Sequence, residues 1–243
     1  MKKIVCFLTV LSMLCFTSCS SDNGDGLSLN KTSLQLASDV KAQLEASEKV
    51  EWSSESNFVA SVDDKGMVVG NHVGKTYIVA SNGGHVVKCG VEVIPLHYTL
   101  TEPIIDFGAS ESVIKSKENR TLIKEDSESL FYKDDKSDVV QGIFYLFDSG
   151  KLTSIGLLIN LSYTLVATDF FLERYQPFLL SDGTYIMINN DFKNYTAAVC
   201  LYVKTNSLLA VYMPSIHNTK MNGLPQEEIS QSLIDRYSNI VEN

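Results

Sequence analysis

The fold of this chain is decided by two stretches, VEWSSESNFVASVDDKGMVVGNHVGKTYIVAS at residues 50–81 and VVKCGVEVIP at residues 86–95. Their apolar residues come in short runs: Val50 and Trp52, Val59 and Val62, Val68 and Val69, Tyr77 to Ala80, and Val86 to Val93. Turn-forming clusters separate them, Asp63-Asp64-Lys65-Gly66, Gly70-Asn71, Gly74 and Asn82-Gly83-Gly84. None of the runs has a helical period. In the last one Val87, Cys89, Val91 and Val93 share one face of a period-two strand, with Lys88 and Glu92 on the other, so Cys89 is expected in a core. Extended back through Leu36 and Leu34 to Leu27, the pattern gives about seven short strands before Pro95, the signature of a β-sandwich.

The order of Trp52-Ser53-Ser54, Val59-Ala60-Ser61-Val62-Asp63, a glycine hairpin, and Gly74-Lys75-Thr76-Tyr77-Ile78 resembles the bacterial immunoglobulin-like group 2 domain. The resemblance covers residues 28 to 95, and the domain is assigned residues 27–96. It implies a sandwich displayed on a cell surface as a spacer or binding module. No catalytic residue comes with it.

Ahead of this domain, Lys2 and Lys3 precede an apolar run from Ile4 to Phe16 and then Thr17-Ser18-Cys19. The run is too short for a bilayer span, which needs about 20 residues, so residues 1–18 read as a signal peptide. Cys19 resembles the lipidated cysteine of bacterial lipoproteins, although Phe16 stands where Leu is usual, and residues 19–26 form a polar tether. Lipidation at Cys19 implies anchoring, since each buried CH₂ contributes about 0.8 kcal/mol and several acyl chains hold stably. Ser20, in place of the Asp of inner-membrane retention signals, implies the outer membrane of a Gram-negative cell, on its periplasmic or cell-surface side.

Removing Lys2 and Lys3 with the signal leaves 18 basic against 29 acidic residues, a formal charge of −11. Such a chain has no basic stripe to displace counterions from a phosphate backbone, so nucleic acid is not an expected partner. Cys6 and Cys15 leave with the signal and Cys19 takes lipid. Cys89 and Cys200 remain, in separate strand-like runs, and are expected as two buried thiols.

Beyond Pro95 the pattern changes to α+β, so the whole is expected to be mostly β with two domains. Residues 97–221 offer a helix at 110–120, capped by Ser110 or Ser112, then strands at 129–133, 139–147 and 152–160, the last two joined by the turn Asp148-Ser149-Gly150-Lys151. A helix at 166–175 and strands at 185–188, 195–203 and 208–213 follow. The halves superpose at an offset of 56 residues: Ile114 on Phe170, Val139 on Tyr195, Ile143 on Val199, Phe147 on Val203, Leu152 on Leu208 and Ile155 on Val211. This reads as a tandem α-β-β-β duplication, similar in architecture to β-lactamase-inhibitor-like and outer-membrane assembly lipoproteins, a likeness that implies no particular function. Residues 222–243 hold one more helix, from Pro225 to Val241, with Ile229, Leu233, Tyr237 and Val241 as its apolar stripe.

Catalytic and cofactor motifs are missing from the sequence. His72, His85, His97 and His217 stand singly, and Asp134, Asp135 and Asp138 read as a solvated hairpin tip, not a calcium loop. Neither a cofactor nor a metal is expected. With Ile143, Tyr145 and Phe147 facing the helices, Phe144, Leu146, Cys200, Tyr202 and Tyr212 are expected on the opposite sheet face, a candidate apolar and aromatic binding face unless the C-terminal stripe or another part of the chain covers it. The expected function is a non-enzymatic envelope lipoprotein that binds a protein or a glycan. The rival classes are a small enzyme of envelope glycan turnover and a structural assembly or fimbrial accessory subunit.

Overall fold

A computed structural model of the chain describes residues 26–179, 185–203 and 207–215. The signal segment, Cys19 and the C-terminal segment 222–243 lie outside the described residues.

The first domain consists of β1 (Ser33–Leu36), β2 (Lys41–Gln43), β3 (Glu51–Ser54), β4 (Ala60–Val62), β5 (Met67–Gly70), β6 (Gly74–Asn82) and β7 (His85–Val93). They form two sheets, ordered β1-β7-β6-β3 and β2-β5-β4. Between them lie Leu36, Leu44, Ala60, Val68, Ile78, Cys89, Val91 and Val93. The alternation of β7 is realised as read, with Cys89, Val91 and Val93 buried and Lys88 exposed. β1 runs parallel to β7, Ser33 opposite Gly90 and Leu36 opposite Val93, while every other ladder is antiparallel. Trp52 is only half-buried, because β3 is an edge strand; its ring closes over Gly66, where an added Cβ would lie 2.9 Å from it.

The second domain is one antiparallel sheet with two short helices on one face. In chain order come α1 (Glu111–Lys117), β8 (Thr121–Glu125), β9 (Ser129–Lys133), β10 (Val140–Asp148), β11 (Lys151–Asn160), a 3₁₀ turn (Leu161–Tyr163), α2 (Thr164–Leu172), β12 (Gln176–Leu179), β13 (Tyr185–Ile188), β14 (Ala197–Val203) and β15 (Ser207–Pro214). The eight strands are ordered β12-β13-β14-β15-β11-β10-β9-β8. β10, β11 and β15 are apolar at consecutive positions because both of their faces are buried.

This order corrects the expected repeat in one respect: each unit is one helix and four strands. The added strands, β8 and β12, are the two sheet edges. Their sequences hide them. β8 is exposed along its length and β12 carries Pro177, tolerated where one side of a strand has no neighbour. With them the halves match element for element about a pseudo-twofold between β11 and β15.

The offset of 56 holds only to Leu152 and Leu208. On β11 the residue Thr153 is a bulge: Leu146 pairs with Ser154 but Phe147 pairs with Leu152. β15 has no counterpart, so beyond it the offset is 55. Tyr145 pairs with Ile155, and its equivalent Leu201 pairs with Ala210. Ile155 therefore corresponds to Ala210, not Val211, and Leu157 to Tyr212. The pseudo-twofold then passes through the Gly156–Val211 pair.

The face toward the helices packs Ile143, Tyr145, Leu157, Val199, Ala210 and Tyr212 against Ile114 of α1 and Ala167, Phe170 and Phe171 of α2. The other face gathers Phe144, Leu146, Leu158, Ile186, Ile188, Ala198, Cys200, Leu209, Val211 and Met213.

The junction between domains is a set of bonds from the end of α2. The Glu173 carboxylate accepts from the amides of Leu96 (2.8 Å) and His97 (3.1 Å), and its carbonyl accepts from the Val73 amide (2.8 Å). Arg174 donates to the carbonyl of His97 at 3.2 Å and lies 3.7 Å above the Phe170 ring. Tyr175 donates to Glu102 at 2.5 Å. Three consecutive residues thus hold the linker, and one of them also touches the sandwich.

Candidate ligand-binding cleft

The structure brings four of the five residues of the expected binding face together. Phe144, Leu146, Cys200 and Tyr202 lie on the sheet face away from the helices, with Phe131 stacked on Phe144 at 4.3 Å. Tyr212 does not join them. The unbulged β14–β15 register puts it opposite Val199, inside the helix-facing core among Phe171 and Tyr175, where burial raises its phenol well above the ordinary range. Phe144 and Leu146 are themselves buried, at 2% and 1% exposure, and Tyr202 is half-buried.

An open concavity lies elsewhere, between the domains, where no motif pointed. It is a cleft of about 1060 Å³. The sandwich contributes Ser38 and Asp39 after β1, Glu55 to Phe58 between β3 and β4, and Asn71-His72 between β5 and β6. The second domain contributes the linker residues Leu96 and His97, Asp169, Leu172 and Glu173 around the end of α2, Gln176 of β12, and Asn190, Asp191 and Asn194 from the loop between β13 and β14.

On the sandwich side the wall is stiff. His72 stacks on Phe58 with centroids 4.1 Å apart and planes 6° from parallel. Its Nδ1 lies 2.8 Å from the Phe58 carbonyl, and Asn71 Nδ2 donates to the Asn57 carbonyl at 2.7 Å. The amides of Asn71 and His72 both donate to the Val59 carbonyl, at 2.8 and 3.2 Å, so the two loops are sewn together. Burial holds His72 below its ordinary value of 6.5, against the smaller opposite pull of the Phe58 carbonyl and of Asp39. Ser38 Oγ is buried here with no hydrogen-bond partner among the described residues, an uncommon state for a hydroxyl.

The facing wall carries amides and carboxylates. Asp191 accepts from the amides of Lys193 and Asn194 and from Asn194 Nδ2, which together hold its carboxyl below the ordinary range. Glu173 is committed to the linker. Glu55 is paired with Lys88 at 2.5 Å. The lining includes no Lys or Arg, so the cleft is acidic and rich in acceptors.

Other sequence candidates stand apart from it. Asp134 is taken by Arg120 at 3.0 Å and Asp135 by Lys133 at 2.9 Å. His85 opens β7 and His217 lies outside the described residues. Cys89 and Cys200 are free thiols in separate cores, each pushed up to about 11 by burial.

Comparison with known proteins places one part of the chain. Residues 28–91 match the family of bacterial Ig-like domains, group 2. No curated protein sequence matches the chain. Among solved structures, domains 5–6 of the S-layer protein SbsC align at 12% identity over 80% of this chain and 86% of theirs, with a TM-score of 0.25. Domains 4–9 of the same protein align at 14% identity over 80% of this chain and 27% of theirs, again at 0.25. The extracellular domains 3–5 of Drosophila OTK align at 13% identity over 78% and 61%, at 0.22. Scores this low carry no argument about fold or function.

Proposed function

We propose that this chain is a non-enzymatic binding protein of the bacterial envelope, anchored through lipid on Cys19 and holding a glycan in the cleft between its two domains. The observation that carries the reading is the cleft itself. It sets a flat stacked pair, Phe58 and His72, opposite a wall of side-chain amides and carboxylates. Sugars match that combination, since their C–H faces pack on flat rings while their hydroxyls donate to carboxylates and bridge amides. An anionic ligand would find no Lys or Arg in the lining and several carboxylates against it. A peptide is disfavoured because the cleft has few apolar groups to anchor side chains.

The signal-like segment and polar tether support the envelope address, and the bacterial Ig-like domain suits a module held away from a membrane. Glycan turnover is the rival, but Glu55, Glu173 and Asp191 are each committed to a neighbour in the way described. That leaves no ready acid and base pair from those three.

Each hydrogen bond contributes about 0.5–1.5 kcal/mol net, so a short oligosaccharide making a few of them is expected to bind with a Kd of micromolar to millimolar order. Screening the mature chain against immobilised envelope and host glycans, followed by calorimetry, tests this. Asp169→Asn and Asn194→Ala should weaken binding several-fold with unchanged melting. Glycan binding that ignores both variants, or no binding to any glycan, would sink the reading.

A further inference from the structure

The sheet face away from the helices poses a problem of cover. Phe144, Leu146, Cys200, Leu209 and Val211 are between 1% and 3% exposed. Both described helices pack on the opposite face, and among the described residues only the loop carrying Phe192 and Tyr195 reaches the rim of this one. Five adjacent strands, β14, β15, β11, β10 and β9, thus present an apolar surface that is dry without a described element over it. Along β11 the floor drops, because Gly156 has no side chain and Ser154 has a small one, both buried. Phe144 and Leu146 stand on one side of this trough and Leu209 and Val211 on the other.

We propose that the chain's own C-terminal segment fills it: residues 225–241 dock as an amphipathic helix along the trough, with Ile229, Leu233, Tyr237 and Val241 turned to the sheet. The segments 180–184 and 204–206 are too short to cover this face, residues 1–18 leave with the signal as the sequence reads, and residues 19–25 are a short polar stretch ahead of the sandwich. The 28 residues after Ser215 remain. The chain reaches them from β15, at the middle of the sheet, and nine residues, 216–224, can extend about 30 Å, enough to turn back over the face. A helix of 17 residues is about 25 Å long, and β11, ten residues at about 3.3 Å each, is long enough to run beneath all of it. At i+4 spacing the stripe winds only about 40° per step and keeps to one broad face, while Glu228 and Asp235 fall on the opposite side. A helix of this length is marginal alone in water, so docking and folding of the segment are one event.

Cys200 reports on this face and Cys89 serves as the internal control, buried in the sandwich core. In the mature chain carrying Cys19→Ser, site-resolved labelling with a maleimide should find both thiols slow. In the same chain ending at residue 223, Cys200 should label roughly a hundredfold faster while Cys89 stays slow, and a peptide of residues 224–243 added in trans should restore protection. Rapid labelling of Cys200 in the full chain, equal protection in both chains, or protection that disappears on dilution and so belongs to a second copy would each overturn the proposal. Oxidation of full-length Ile229→Cys, Leu233→Cys and Tyr237→Cys variants gives a measure independent of how well the shortened chain holds its sheet. At least one should form a disulfide with Cys200, and the outward-facing Gln231→Cys should not. Cross-linking at 231 as readily as at the stripe would count against the helix. None of these readouts depends on a ligand in the cleft.

Discussion

His72 and Glu173 show what single residues contribute to the cleft. His72 is held below its ordinary value of 6.5 by burial against Phe58, so the unfolded chain binds this proton more readily than the folded one. Its contribution to stability is therefore complete above pH 6.5 and is lost as pH falls toward the folded value. Histidine NMR titration of the mature chain should find His72 below 6.5, and His72→Gln should flatten the dependence of melting on pH between 5 and 7; a value at or above 6.5 would refute the assigned burial. Glu173 is charged with joining domains. Glu173→Gln keeps one acceptor and loses the ionic character of two amide bonds, a cost of about 2 kcal/mol, readable as an earlier urea midpoint. The alternation around Cys89 was legible in the sequence because a hairpin strand keeps strict period two. Tyr212 was not, because the extra residue at Thr153 is present in one half only and breaks the 56-residue offset from which β15 was read.

At the scale of elements, strands buried on both faces announced themselves and edges did not. β10, β11 and β15 carry apolar residues at consecutive positions over most of their length, whereas β8 and β12 lack either periodicity, one exposed throughout and one bearing proline. The β10–β11 turn was legible from Asp148-Ser149-Gly150-Lys151, and it places both Ser149 (φ 49°) and Gly150 (φ 71°) in the left-handed region. An added Cβ at Gly150 would meet nothing within 4 Å, so Gly150→Ala isolates the backbone term and should cost about 1 kcal/mol. Gly142 is the contrasting case. A Cβ there would fall 2.4 Å from the Phe131 ring, which is stacked on Phe144, so Gly142→Ala should cost about 1–3 kcal/mol by overpacking and disturb the far face of the sheet. Thermal denaturation of the two variants side by side should rank them in that order.

In the whole molecule, the cleft is the feature that sequence reading could not reach. Its walls come from loops scattered between Ser38 and Asn194, and none of them carries a motif alone. Two domains were legible from the change of pattern at Pro95; their mutual placement was not, since it rests on bonds from Glu173, Arg174 and Tyr175 to a linker some 75 residues earlier. The pairing of β1 with β7 has a mechanical consequence. A pull on the chain ahead of Ser33 loads the start of β1, and a pull on the chain beyond Val93 loads the end of β7. Because these strands run parallel, with Ser33 through Leu36 matched to Gly90 through Val93, opposed pulls slide one along the other and strain the whole ladder at once. An antiparallel pair loaded the same way would unzip bond by bond. Leu34→Pro, which takes a donor out of this ladder, should therefore lower the rupture force of the sandwich in single-molecule stretching between its two ends by far more than it lowers the melting temperature. The parallel strand makes the sandwich a link suited to tension, one that holds as a unit when its two ends are drawn apart.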